Sequence, residues 1–440
     1  MHHVPASAAG GLDRSFGSGG IVRAPGFAFA VAPGASGRVL ATGVARGGRL
    51  VVSVLRADGK PDPRFGRAGR VTPLVATGQA VAPAAKGRIV AAGTARFQSA
   101  PGSGFFTVRQ VVVRLTPTGS LDRTFGGGDG AVVLGQIALR GGRSTDSAVA
   151  GISVAPSGKI TVAGTVWRVL PEDGDRDPLP YQAFLFTRLN ADGTPDRTFG
   201  RAGRLLVRFP GAQFARLGAA ATDRHGRFLA AGWAGPQAPQ QSRQEGHLAI
   251  ARLDATGRLD PAFGTGGLVL DELALPYPGT VPAGDLAIQP DGKPVISTLT
   301  PGQPTPTSTG DRPIIQRLTA DGRHDPTFGT DGQIPSPVVP PGPIVARGTP
   351  ACPALLALGG TLHDAAAASF TANGSPDRRF GHNGLLFMPS VASLPRPGRL
   401  SYLLAISGAA SIGNRVVFSF TPGFDLGRIT LPPPACPPAP

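Results

Sequence analysis

Several residue types are nearly missing from these 440 residues. Only Lys60, Lys86, Lys159 and Lys293 among the 43 bases are lysine, and only Glu172, Glu245 and Glu272 among the 27 acids are glutamate. There are two Cys, two Trp and three Tyr. The cysteines, Cys352 and Cys436, each lie in Pro-Ala-Cys-Pro. Without histidines at ligand spacing they do not make a zinc site. They leave open a disulfide, which implies an oxidising compartment, or two buried thiols. No run of ~18 apolar residues exists, which excludes a membrane-spanning helix. The first ten residues lack a basic region and an apolar core, so they do not read as a signal peptide. No long stretch carries a 3.6-residue period, which argues against a helical framework. A G-x-S-x-G elbow, a phosphate-cradling loop and a dinucleotide fingerprint are all missing, and with them the usual motif-borne enzyme classes.

What is present is repetition. D-x-x-F-G-x-x-G begins at Asp13, Asp62, Asp122, Asp196, Asp260, Asp325 and Asp377, with phenylalanines at Phe16, Phe65, Phe125, Phe199, Phe263, Phe328 and Phe380. The Phe spacings are 49, 60, 74, 64, 65 and 52 residues. Units of this size cannot close separate cores and must stack on their neighbours. The 64 Gly and 46 Pro fall at fixed places between short β-branched runs, so they read as turns and not as disorder.

One unit shows the plan. Gly151–Pro156, Lys159–Gly164, Phe184–Leu189 and Arg204–Val207 form four short runs, with glycine-bearing turns at Ser157-Gly158 and Asp192-Gly193. Four antiparallel strands, repeated, is the pattern of a β-propeller blade. Within the phrase, Asp hydrogen-bonds the backbone two residues on, and Phe fills the wedge between blades. The third copy is one residue longer and predicts a local bulge. The chain opens with a lone fourth strand, Leu12 to Val22. It ends with three strands, Tyr402 to Ile406, Arg415 to Phe420 and Gly427 to Leu431. Pairing the two ends removes an open edge. The prediction is therefore an all-β fold: a propeller of seven four-stranded blades, the N-terminal strand completing the last. Six blades plus an appendage is the rival. Residues 1–11 are expected to be disordered, 12–431 to form one domain, and 432–440 a Pro-rich tail.

Leu121-Asp-Arg-Thr-Phe-Gly126, Arg188-Leu-Asn-Ala-Asp-Gly193 and Pro156-Ser-Gly-Lys-Ile-Thr-Val-Ala-Gly164 resemble the delta-60 repeat, an uncharacterised bacterial β-propeller family. The resemblance covers nearly the whole chain and implies the propeller fold. It also implies an extracellular or cell-envelope location, and it carries over no catalytic residues.

Chemistry is expected on the face bearing the long second-to-third-strand loops and the blade crossovers. Trp167, Glu172, Tyr181, Trp233, Glu245, Glu272 and Tyr277 gather there. They suggest a ligand surface of aromatic platforms and carboxylates, such as glycan or peptide sites have. Asp173, Asp175 and Asp177 alternate as calcium ligands do, although Arg176 sits among them and the closing bidentate Glu is missing. The cofactor expectation is none, with Ca2+ as the alternative. Histidines are scattered, and only His363-Asp364 and His247 near Glu245 resemble acid–base pairs. The formal charge of +16 is spread without a run of five or six bases. The leading function is a non-catalytic, monomeric binding module for a glycan or protein. The alternatives are a channel-mouth hydrolase or lyase on sugars or lactones, and a polyanion-binding module; nucleic acid is not the expected partner.

Overall fold

The computed structural model describes residues 10–98, 106–135, 145–168, 182–236, 246–275, 285–300, 312–338, 342–360, 365–388, 406–420 and 425–434. The chain enters through two short strands, β1 (Gly11–Leu12) and β2 (Ile21–Val22). Blade one is β3 (Phe27–Pro33), β4 (Val39–Ala45), β5 (Arg49–Leu55) and β6 (Arg70–Val71). Blade two is β7 (Thr77–Pro83), β8 (Ile89–Gln98), β9 (Phe106–Leu115) and β10 (Ala131–Val133). Blade three is β11 (Thr145–Val154), β12 (Ile160–Arg168), β13 (Gln182–Leu189) and β14 (Arg204–Val207). Blade four is β15 (Phe214–Thr222), β16 (Phe228–Gly235), β17 (Gly246–Leu253) and β18 (Leu268–Leu275). Blade five is β19 (Asp285–Ile288), β20 (Pro294–Thr300), β21 (Arg312–Arg317) and β22 (Gln333–Pro335). Blade six is β23 (Ile344–Thr349), β24 (Cys352–Gly360), β25 (Ala365–Phe370) and β26 (Leu385–Met388). Blade seven is β27 (Ile406–Ile412), β28 (Arg415–Phe420) and β29 (Asp425–Thr430), with β1 and β2 paired to β29.

Each sheet is antiparallel, each innermost strand touches the next, and β27 touches β3, so seven blades close a ring. Six blades with an appendage is thereby excluded. Two details correct the sequence reading of the closure. The entering strand, Leu12 to Val22 by expectation, is two pairs of residues flanking the phrase, because the Asp13–Gly20 turn interrupts it. The first strand of blade seven runs over Ile406–Ile412 and not up to Ile406; its expected span of 402–405 lies outside the described residues. In the long third copy, the extra residue is taken up by a 3₁₀ turn at Gly126–Gly128.

The phrase works as expected at two points. In all seven copies the Asp side chain accepts the amide two residues on. All seven phenylalanines are at most 1% exposed. Burial of one such ring contributes roughly 1.5–3 kcal/mol. Each ring lies against a glycine of the following blade: Gly59, Gly119, Gly193, Gly257, Gly322 and Gly374 in turn. Gly10 covers Phe380 and completes the circle. At Gly193 a Cβ would sit 2.9 Å from the Phe125 ring, and the backbone has φ +90°, so both space and conformation require glycine.

A third point was not foreseen. In five blades an arginine of the third strand, or of β29 in blade seven, binds the phrase aspartate. Arg114 Nε lies 2.8 Å from Asp122, Arg188 Nε 2.7 Å from Asp196, Arg252 Nε 2.8 Å from Asp260, Arg317 Nε 2.7 Å from Asp325 and Arg428 2.9 Å from Asp13. The same guanidinium stacks 4.4–4.7 Å from the centroid of the phrase phenylalanine. It also donates across the blade boundary, to the carbonyls of Ala191, Thr256, Ala320, Ala372 and Ala57 respectively. One side chain thus joins turn, wedge and neighbouring blade.

The recurring glycine of the second strand has a separate cause. Blade three bulges at Ala150, and a Cβ on Gly164 would stand 1.8 Å from the Ala148 carbonyl oxygen. Similar bulges occur in β3, β7, β15 and β27. At the far end of the chain, Arg347 and Arg379 donate to the carbonyls of Pro432 and Pro433 at 2.6 and 2.8 Å, holding that stretch against blade six. Cys352 is buried and disulfide-bonded, and the only other cysteine, Cys436, lies outside the described residues.

Candidate functional site: the loop face and the channel mouth

Turns between first and second strands, and between third and fourth, lie on one face of the ring; second-to-third loops and blade crossovers lie on the other. Most of the sequence-predicted residues fall in those loops. Glu172, Tyr181, Glu245 and Tyr277, the acidic trio Asp173, Asp175 and Asp177, and His363-Asp364 all lie outside the described residues. Three predicted ligand residues are described, and they stand on three different strands. Trp167 is half-buried near the end of β12, paired with Asp146 and Gln182. Glu272 is exposed, but on β18 and not in a loop. Trp233 is also a strand residue, between Arg216 and Leu248, and is 2% exposed. Its indole fills the core with Phe214, Leu248 and Ile250 and abuts Gly246. The apolar run Phe228–Gly235 carries β16 further than expected, and burial of the large ring removes it from the loop surface.

The geometry adds a cavity of about 620 Å³ in the central channel, lined from all seven blades. Its wall includes the bulged residues Phe29, Gln79, Ala150, Gly218 and Ser407. These lie near the starts of the innermost strands, which begin at the loop face. Most of the lining is small and apolar. The Gln79 amide oxygen accepts from Thr94, and Ser407 Oγ donates 2.7 Å to the Ala28 carbonyl. Asp285 is the one lining carboxylate among the described residues, and it accepts the Ile344 N–H at 3.0 Å. Burial pushes its carboxyl up to about 6, against the opposing amides of Leu286 and Ile344. A group that titrates there can hold or release a proton near neutral pH.

A second polar cluster bridges blades four and five at the rim. The buried Asp271 carboxylate lies 2.8 Å from His324 Nε2 and 2.7 Å from the Gln316 amide nitrogen. His247 Nδ1 lies 3.1 Å from the Asp271 carbonyl oxygen. His324 borders an open pocket with Thr300, Arg312, Thr330 and Gln333. Sequence spacing gave no cue, since Asp271 and His324 are 53 residues apart. Among the described residues no three His, Cys, Asp or Glu side chains gather as a metal site, and no helix is long and apolar enough to cross a membrane.

A family model described as a domain of unknown function (DUF5122) beta-propeller matches residues 87–125. With the seven-bladed ring, this supports an uncharacterised propeller family. No curated protein matches the chain. Among solved structures, the polysaccharide lyase Uly1 superposes with a TM-score of 0.50 at 10% identity, over 98% of this chain and 94% of that one. Raptor from Chaetomium thermophilum gives 0.47 at 9% identity over 95% of this chain, which spans only 29% of Raptor. The Hadza microbial sialidase Hz136 gives 0.44 at 13%, over 86% and 73%. At these identities the likeness to Uly1 concerns the fold alone.

Proposed function

We propose that the chain is a binding module of the delta-60 repeat kind, without catalysis of its own, whose ligand is a glycan or a protein seated on the loop face. The observation that carries this reading is an arc of exposed apolar side chains on that face. Phe27 at the head of β3 is 45% exposed, Val75 in the crossover to blade two 63%, and Phe106 at the head of β9 54%. Half-buried Trp167 continues the arc into blade three. Arg96 lies 5.9 Å from the Phe106 ring and Arg109 5.2 Å from that of Phe97, so stacked cations brace the ends of β8 and β9. Rigid aromatic surface on long strands suits a sugar ring or an apolar peptide segment. The disulfide of Cys352 supports an extracellular or envelope location, where such bonds persist.

The test is a melting-temperature screen against neutral glycans and candidate partner proteins, repeated with F106S and W167S. A ligand at 100 times its Kd stabilises by ~2.7 kcal/mol. The double variant is expected to abolish the shift and keep the fold; an undiminished shift would sink this assignment of the face.

One observation favours a second reading, an enzyme working at the channel mouth. Asp285, with its carboxyl at about 6, stands in a cavity large enough for a small substrate. Turnover of a sugar or lactone that disappears in D285N would establish it.

A further inference from the structure

The opposite face carries a feature that neither reading uses. Arg14, Arg123, Arg197 and Arg378 each follow directly on the phrase aspartate, in blades seven, two, three and six. Arg67 and Arg201 stand two residues after its phenylalanine, in blades one and three. All six are exposed, and none has an acidic partner among the described residues. They look scattered in sequence because 50–70 residues separate the copies, as the Phe spacings of 49 to 74 show. The ring brings them together. Blades six, seven, one, two and three are consecutive, so the arginines form one arc over five blades. The position after Asp is proline in blades one, four and five, Pro63, Pro261 and Pro326, and in blade one Arg67 supplies the charge.

The acids on this arc do little to cancel the charge. The phrase aspartates are buried and occupied by their own cations, and Asp58 is paired with Arg56 at 3.2 Å. Asp129 and Asp192 are the exposed carboxylates left along it, and Asp192 is engaged by the Thr194 hydroxyl at 2.7 Å.

We infer that this arc is a docking surface for a flexible acidic polysaccharide. Guanidinium groups present paired N–H donors that match carboxylate and sulfate oxygens. A curved row of such groups, one or two per blade, suits a chain that bears an anion on successive sugars and bends freely. Duplex nucleic acid fits less well, since its persistence length of ~150 base pairs resists following a ring this tight. Single strands need aromatic platforms for their bases. The exposed aromatics Phe27 and Phe106 head strands at the loop face, and Phe387 stands alone on β26.

The experiment measures binding of the whole chain to alginate, a uronic-acid polymer, with dextran as the neutral control and with duplex and single-stranded DNA as rivals. R14S/R123S/R197S/R378S removes four charges from the arc. R46S/R208S/R312S removes three exposed charges from the opposite side. Alginate affinity is expected to fall about tenfold or more for the first variant and to hold for the second, with a weaker salt dependence in the first. Both should melt with the parent, since all seven side chains are exposed. Equal losses in the two variants, equal binding of dextran, tighter binding of either DNA, or no alginate binding by the parent would each overturn the inference.

Discussion

Replacing Arg252 by methionine is the sharpest probe of the inter-blade clamp. Arg252 is 2% exposed, lies 2.8 Å from Asp260, stacks 4.4 Å from the centroid of the Phe263 ring, and donates to Ala320 in blade five. Methionine keeps the stem and loses the charge. Among the described residues no second cation pairs with Asp260, and the neighbouring base, Arg227, is committed to Asp223 at 2.6 Å. Stranding one member of a buried pair costs ~3–5 kcal/mol. Unfolding entropy is ~2.1 cal/mol/K per residue, so ~4 kcal/mol should lower the Tm by about 4 °C if the ring unfolds as a unit. The comparison is R114M in blade two, where Asp122 retains Arg88 at 2.7 Å. Its loss should be smaller by roughly 1–3 kcal/mol. Calorimetry and urea midpoints on R252M, R114M, D260N and R252M/D260N decide the matter. The double variant should recover much of the loss, since a pair replaced by neutral groups leaves no stranded charge. If R114M costs as much as R252M, or the double variant is no better than R252M, the clamp is not electrostatic in the way argued.

Two further outcomes follow from the same geometry. Gly257→Ala should destabilise by a few kcal/mol, because the new Cβ would lie 2.6 Å from the Phe199 ring at φ +88°. Gly266→Ala, with φ +62° but open space, should cost only about 1 kcal/mol, and equal urea midpoints for the two would refute the wedge argument. Stability should also change with pH in two windows. Burial raises the carboxyls of Asp122 and Asp325, but the Thr124 hydroxyl and Arg114 in one, and Lys293, Thr327 and Arg317 in the other, hold each down at about 2, against 3.8 unfolded. Each therefore contributes roughly 2 kcal/mol that is present above pH ~4 and is lost as pH falls toward 2. Asp285, at about 6, has the opposite sign: the folded chain keeps the proton longer, so stability declines as pH rises from ~4 to ~6. D285N should be the more stable protein at pH 7 by up to ~3 kcal/mol and no different at pH 4. A parallel pair of pH–stability curves would remove Asp285 from the account.

The ring was legible because its instructions are local and repeated. Asp, Phe and Gly at fixed offsets encode a turn, an anchor and a positive φ, and seven copies with a strand left over at one end and three at the other encode closure. The clamp arginines were not legible as such. Arg114 or Arg252, eight residues before the phrase aspartate, looks like any polar residue of a strand, and its partner carbonyl comes from the next blade. The candidate sites were legible least. Trp233 was misplaced because a strand's end is set by what it packs against, and Asp271 meets His324 only through the contact of two blades.

The four-stranded blade, its turns and the leftover strands at the two ends could be read from residues a few positions apart, since hydrogen bonding, turn conformation and burial of one ring per unit act over that range. Tertiary contacts settled the choice of seven blades over six, and with it which charges are consumed in ion pairs and which remain free on a rim. They alone placed Asp285 in the channel wall and hid Trp233 in the core. Those outcomes depend on distances between residues of different blades, and Coulomb energy, desolvation and close packing respond to that separation and not to position along the chain.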